Sequence, residues 1–123
     1  MTVYERCVEA SCRDGEKSLY PPSRIQLGRA GWLLLHSISI NHNITNEEIE
    51  TAAWLYSFAA LYPCHVCRDS LYSIYKKMPP SVNTQENLIL WACEIHNKVN
   101  DELSKPILDC NIQDLRKMYC SKH

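Results

Sequence analysis

Leu88, Trp91, Ala92, Ile95, Val99 and Leu103 recur at intervals of three and four, and residues with that period reach a common core only from one face of an α-helix. The same pattern extends over most of the chain. From about Ile25 to Ile40, the residues Ile25, Trp32, Leu35 and Ile38, with Leu33 and Leu34 on the flank, fit a nearly all-round buried helix. Thr45-Asn-Glu-Glu48 has the form of a capping box, and Ile49, Ala52, Ala53, Tyr56 and Ala60 follow it at helical spacing as far as about Tyr62. Pro63-Cys64 suits the first turn of a third helix, which runs to about Met78 and is stopped by Pro79-Pro80. Ser104-Lys105-Pro106 closes the fourth helix, and a short fifth spans about Ile112 to Tyr119. No segment alternates polar and apolar residues over a useful length, so the sequence predicts an all-α fold, a four-helix bundle with a short fifth helix.

At 123 residues, 46% of them hydrophobic, the chain can build one modest core but not two. Residues 1–20 are polar and without periodicity; ahead of the Pro21-Pro22 pair they read as a flexible arm bearing Cys7 and Cys12, which leaves 21–123 as the single domain. With 13 basic and 14 acidic side chains the formal net charge is -1, too little for a long-range field toward nucleic acid or an anionic membrane. No secretory signal opens the chain, and no run approaches the roughly 18 apolar residues of a membrane helix.

Seven cysteines, Cys7, Cys12, Cys64, Cys67, Cys93, Cys110 and Cys120, make sulfur chemistry the leading functional signal, and their odd number leaves at least one thiol outside any internal set of disulfides. Cys64-His-Val-Cys67 falls where a helix is expected to begin. Unpaired amides and the helix dipole favour a thiolate there, which would make the pair competent for exchange. The same spacing is that of half a zinc site, and Cys93 with His96 would complete a Cys3His set in a protein-binding module. Buried structural thiols are the third reading. A thioredoxin fold would need a strand before the motif, and none is visible. His65, inside the motif, reads as a solvated side chain. Sixteen residues separate Cys93 from Cys110, so a bond between them would close a loop worth roughly 3 kcal/mol in the chain-entropy model, a structural role.

Trp32 and His36 share one helical face, and His96 and Asn100 share another, one turn after Cys93. Taken singly, the tryptophan is a core residue and each histidine a hydrogen-bonded buried group. Taken together, the two faces want a common polar partner.

In order along the chain stand Leu27-Gly-Arg-Ala-Gly-Trp32 with Leu35-His36, then Leu61-Tyr-Pro-Cys-His-Val-Cys67, then Trp91-Ala-Cys-Glu-Ile-His-Asn-Lys-Val-Asn100, then Lys105-Pro106 leading to Asp109-Cys110. This ordered set resembles the Erv/ALR family of sulfhydryl oxidases, over about Pro21 to Cys110. The resemblance implies a homodimeric helical bundle holding FAD at the mouth of the four helices, with the isoalloxazine near the CxxC pair. It also implies flavin contacts from Gly28, Arg29, Trp32, His36 and Tyr62 in the first half of the chain. From the second half it adds Cys93, His96, Asn97, Asn100 and Lys105. Gly28 and Gly31 would then be small so that the helix backbone can approach the cofactor.

The activity so implied is oxidation of protein dithiols, or of a disulfide-relay oxidoreductase, with electrons passing through Cys64 to Cys67 and on to FAD. Oxygen, giving hydrogen peroxide, or cytochrome c would be the final acceptor. Cys93 and Cys110 match the family's structural disulfide, and no metal is expected. The arm pair Cys7-x4-Cys12 stands where relatives often carry a shuttle CxxC or CxC. Tyr20 replaces a cysteine that ties the dimer in some relatives, which leaves Cys120 to pair with Cys7 or Cys12. Tryptophans that follow the last structural cysteine in many relatives are absent, and Tyr119 is the candidate substitute. The mitochondrial intermembrane space is the expected compartment, with the ER lumen and a viral protein in a host cell as alternatives.

Overall fold

A computed structural model describes residues 23–121; the arm predicted over 1–20, with Cys7 and Cys12, lies outside the described residues. Among those described there are five helices and no strand: α1 Arg24–Asn41, α2 Glu48–Leu61, α3 His65–Lys77, α4 Gln85–Glu102 and α5 Ile112–Tyr119. The predicted bundle is present, and each helix falls within a few residues of its expected span.

The caps explain where the helices begin. At α1, Ser23 accepts from the Gln26 amide at 3.1 Å and Gln26 returns an acceptor to the Ser23 amide at 2.8 Å, a full capping box. Thr84 caps α4 through the Asn87 amide, and Asn111 caps α5 through that of Asp114. The capping box expected at Thr45 does not form. Asn46 takes a left-handed φ of 66° and the Thr45 amide is held by the Asn43 side chain at 3.0 Å, so the turn displaces the cap to Glu47, which makes no side-chain cap bond. Pro63 likewise stands one residue before the cap of α3, which is Cys64.

The main core is built by Leu35 of α1, Leu55 of α2, Leu71 and Ile74 of α3, and Leu88, Trp91 and Ile95 of α4. Buried polar groups tie these helices at fixed heights: the Tyr75 hydroxyl donates to the Leu55 carbonyl at 3.0 Å, and the Trp91 indole donates to that of Met78 at 2.9 Å. A second cluster, Ile89, Cys93 and Leu115, seats α5 against α4.

Two faces differ from expectation. In α1, Leu33 and Leu34 are 59% and 50% exposed, so the helix is not buried all round. In α2 the buried residues are Thr51, Leu55 and Ala59, whereas Ile49 is 83% and Tyr56 51% exposed. Both faces of α2 carry apolar residues at helical spacing, and periodicity alone does not choose between them. Leu103, expected on the buried face of α4, is its C-cap and is exposed.

Candidate functional site: a CxxC disulfide and a histidine pair

Cys64 and Cys67 are joined as a disulfide with Cα atoms 5.2 Å apart. Cys64 is the N-cap of α3, with extended backbone, and its sulfur accepts from the Cys67 amide at 3.3 Å. Sulfur therefore takes the place that a serine or aspartate oxygen fills at an ordinary cap, where a thiolate formed on reduction would be held by an orphan amide and the helix dipole. Both cysteines are half-buried, while His65 and Val66 between them face solvent. His65 lies 3.7 Å from Asp69 with both side chains largely exposed, in keeping with the solvated role expected of it.

Tyr62, one proline before Cys64, carries the motif toward α1. A Cβ placed on Gly31 would meet Phe58 Cζ at 3.3 Å and Tyr62 Cε1 at 3.4 Å, and one on Gly28 would come within 4.0 Å of the Tyr62 hydroxyl. Phe58 and Tyr62 pack closely on Gly31, so a side chain there would have to push them aside. This packing brings Tyr62, two residues before Cys64, against the first half of α1.

Further along α1 the faces that wanted a common partner find each other. His36 Nε2 and His96 Nδ1 are 2.9 Å apart, bonding α1 to α4. The Trp32 ring stacks on His96 at 4.0 Å between centroids and 10° between planes. Tyr119 of α5 stacks on His36 at 4.5 Å and 11°. The four rings thus form one run, Trp32, His96, His36, Tyr119. Burial first, and the neighbouring His96 second, push His36 down to about 4, and burial with the Lys105 charge does the same for His96. Both imidazoles are neutral at physiological pH, so one donates and the other accepts. Burial raises the phenols of Tyr62 and Tyr119, which stay protonated.

Cys93 is fully buried and bonded to Cys110, Cα to Cα 5.7 Å. Asn97 completes this seam: its amide donates to the Leu108 carbonyl at 2.9 Å and to Cys110 Sγ at 3.3 Å, and its oxygen accepts from the Leu108 amide at 2.7 Å. Asn100 is buried and its carbonyl receives the Lys105 amide at 2.7 Å. Arg29 and Lys105 are exposed. Cys120 is exposed and bonded to no other described cysteine.

The Cys3His zinc alternative is overturned. Its three sulfurs are taken, Cys64 by Cys67 and Cys93 by Cys110, and zinc needs free, deprotonated thiolates. No cluster of metal-binding side chains occurs among the described residues. Two contacts escaped sequence reasoning. Arg68 donates to the Tyr62 carbonyl at 2.6 Å; its place four residues after Cys64 was the available signal. Gln85 donates to the carbonyls of Ser39 and His42 and accepts from the Ile44 amide, and nothing in the pattern of the sequence marks it.

Fold and site together define an all-helical CxxC disulfide protein with a second, buried disulfide and a neutral histidine pair. The chain belongs to the Erv1 / Alr family, whose family model matches residues 29–120. It is 37% identical over 99 residues to the mitochondrial FAD-linked sulfhydryl oxidase ERV1 of Saccharomyces cerevisiae, a match covering 78% of this chain and 52% of that protein. It is 32% identical over 80 residues to an FAD-linked sulfhydryl oxidase of African swine fever virus, covering 63% of this chain and 67% of the viral one. The crystal structure of the yeast Erv1 core superposes with a TM-score of 0.77 at 33% identity, over 87% of this chain and 92% of that one. The FAD-binding domain of Erv1 from Saccharomyces cerevisiae gives 0.72 at 33% identity, over 80% and 95%. The chain spans about half the length of the two ERV1 relatives from yeasts.

Proposed function

We propose that this chain is an FAD-dependent thiol oxidase that makes disulfides in protein substrates, with 21–123 as its catalytic domain. The observation that carries the reading is the half-buried Cys64–Cys67 disulfide capping α3, two residues after Tyr62, which packs on Gly31 of α1. Relatives similar to this chain in sequence are named FAD-linked sulfhydryl oxidases.

The residues fit such a cofactor. A flat heteroaromatic ring needs planar faces and hydrogen-bonding groups that carry no competing charge. Trp32 and His96 are half-buried and stacked, with ring surface still open, and the imidazoles of His36 and His96 are neutral. Gly28, Arg29, Trp32, His36 and Tyr62 would hold the flavin from α1 and the end of α2. Cys93, His96, Asn97, Asn100 and Lys105 would do so from α4 and its exit, with Asn97 acting through the Leu108 segment it fixes. FAD, when bound, supplies a two-electron acceptor.

In this reading Cys64 is the interchange thiol. A substrate thiolate bonds to its sulfur as the Cys64–Cys67 bond breaks; the second substrate thiolate then closes the substrate disulfide and releases Cys64. Two electrons now reside on the reduced pair, and Cys67 is the thiol that hands them on. Oxygen, yielding hydrogen peroxide, or cytochrome c takes them finally. For a substrate that reaches the site through the arm, the reduced Cys7 and Cys12 pair makes this attack on Cys64, and the substrate dithiol re-reduces the resulting arm disulfide by the same two exchanges.

Homodimerisation is part of the proposal. Leu33 and Leu34 of α1 and Ile49 and Tyr56 of α2 are exposed apolar side chains that a second copy would cover. The compartment we propose is the mitochondrial intermembrane space, supported by relatives named as mitochondrial; viral relatives support the alternative. Among the described residues no helix is long and apolar enough to cross a membrane.

The deciding experiment is an absorption spectrum of purified protein before and after dithiol under anaerobic conditions. A flavin band that bleaches with dithiol and returns with air is expected; a colourless protein that takes up no added FAD would overturn the reading.

A further inference from the structure

The geometry points to Arg68 as a charged positioning residue that stabilises Cys64 as a thiolate and so makes the Cys64–Cys67 pair more oxidising, an inference that rests on the redox role proposed for that pair. Arg68 lies in the first turn of α3, its amide bonded to the Cys64 carbonyl at 2.8 Å. Its half-buried side chain turns back across the helix start, and Nη1 donates to the Tyr62 carbonyl at 2.6 Å. That same carbonyl accepts from the Cys64 amide at 2.8 Å. A guanidinium and the Cys64 backbone therefore share one acceptor, and the charge is fixed two hydrogen bonds from the cysteine.

Among the described residues this cation has no carboxylate partner. His65 and Asp69 on α3 pair with each other, and Glu102 of α4 takes the Ser70 hydroxyl. Without Arg68 the Tyr62 carbonyl would lose its charged donor and keep the Cys64 amide. With it, the carbonyl is saturated and a positive charge stands behind it.

The step that gains is the release of Cys64. When the second substrate thiolate attacks the substrate sulfur of the mixed disulfide, the substrate disulfide forms and the bond to Cys64 Sγ breaks. Cys64 departs with the electron pair. A thiol that leaves as a stabilised anion leaves faster, and a stabilised reduced form raises the potential of the couple.

The test uses the full chain with its flavin, in three forms: unchanged, Arg68→Gln and Arg68→Lys. The dithiol-reduced, anaerobic proteins are pulsed with iodoacetamide across pH, with mass spectrometry reading modification of Cys64. The Cys64–Cys67 potential is read in parallel by mass in thiol redox buffers. For Arg68→Gln we expect alkylation below the thiol midpoint to slow about three- to tenfold and the potential to fall by about 15–30 mV. Arg68→Lys, which keeps the charge, should recover most of both. Equal profiles for all three proteins overturn the inference. So does an equal shift in both variants, which would assign the effect to the hydrogen bond instead of the charge. A disulfide that equilibrates with the buffers in a protein that binds no flavin would sink the oxidase reading while leaving the Arg68 comparison intact.

Discussion

His36 and His96 hold one proton between them across 2.9 Å, the bond that joins α1 to α4 in the middle of the ring run. Both bind protons only near pH 4 in the fold, against 6.5 for a free imidazole. Between those values the unfolded chain takes up protons that the native pair refuses, so stability falls as pH drops from about 6.5 to about 4 and then levels off. The loss should be on the order of 2 kcal/mol for the pair, with half-exposed His96 contributing less. Thermal unfolding from pH 7 to 4.5 checks this against His36→Gln, whose slope should be shallower; parallel curves would remove the pair as the cause.

Cys93→Ser should lower stability by about 2–4 kcal/mol, because it opens a link between positions 17 apart in sequence and leaves a hydroxyl in a fully buried place. Denaturant titration without reductant measures it. A loss of less than about 1 kcal/mol would mean that Asn97 and Leu115 alone keep α5 in place.

Cys67→Ser should leave flavin bound, since the ring run lies on α1, α4 and α5, yet abolish bleaching by dithiols. The anaerobic spectrum decides, and retained turnover contradicts the assignment of Cys67 as the thiol that reduces the cofactor. Cys12→Ser should spare turnover of a small reductant and slow that of a protein substrate. Equal loss toward both would argue against an arm shuttle.

Ile49→Glu combined with Tyr56→Glu should convert a dimer to monomers without unfolding, because both side chains point outward from α2. Sedimentation velocity with circular dichroism distinguishes the outcomes. An unaltered sedimentation coefficient would place any dimer contact elsewhere.

Helix number and extent were legible because proline pairs and three-four periodicity are local signals, and α5 falls at Ile112–Tyr119 as expected. Which side of α2 faces inward was not, since Leu55 and Tyr56 are equally apolar on paper and only the docking of α3, through Tyr75 on the Leu55 carbonyl, separates them. Ser23 caps α1 although it follows two prolines in a polar stretch, where no apolar period marks a helix start. At the site, the paired cysteines could be read from spacing and family resemblance. The mutual bond of His36 and His96 could not, for it depends on the crossing of α1 over α4, and no interval along one chain encodes that crossing.

Asn41, at the last turn of α1, donates to the Tyr119 carbonyl at 2.8 Å and accepts from the Ser121 amide at 2.6 Å. Together with Cys93–Cys110 at its entrance, this fastens α5 at both ends like a buckled strap. A chain cut short before Asn111 would lose the strap, bare His36 to water, and let its imidazole drift back toward ordinary acidity. Protection of the proton shared in the interior thus depends on a short segment of which one side chain, Leu115, is fully buried.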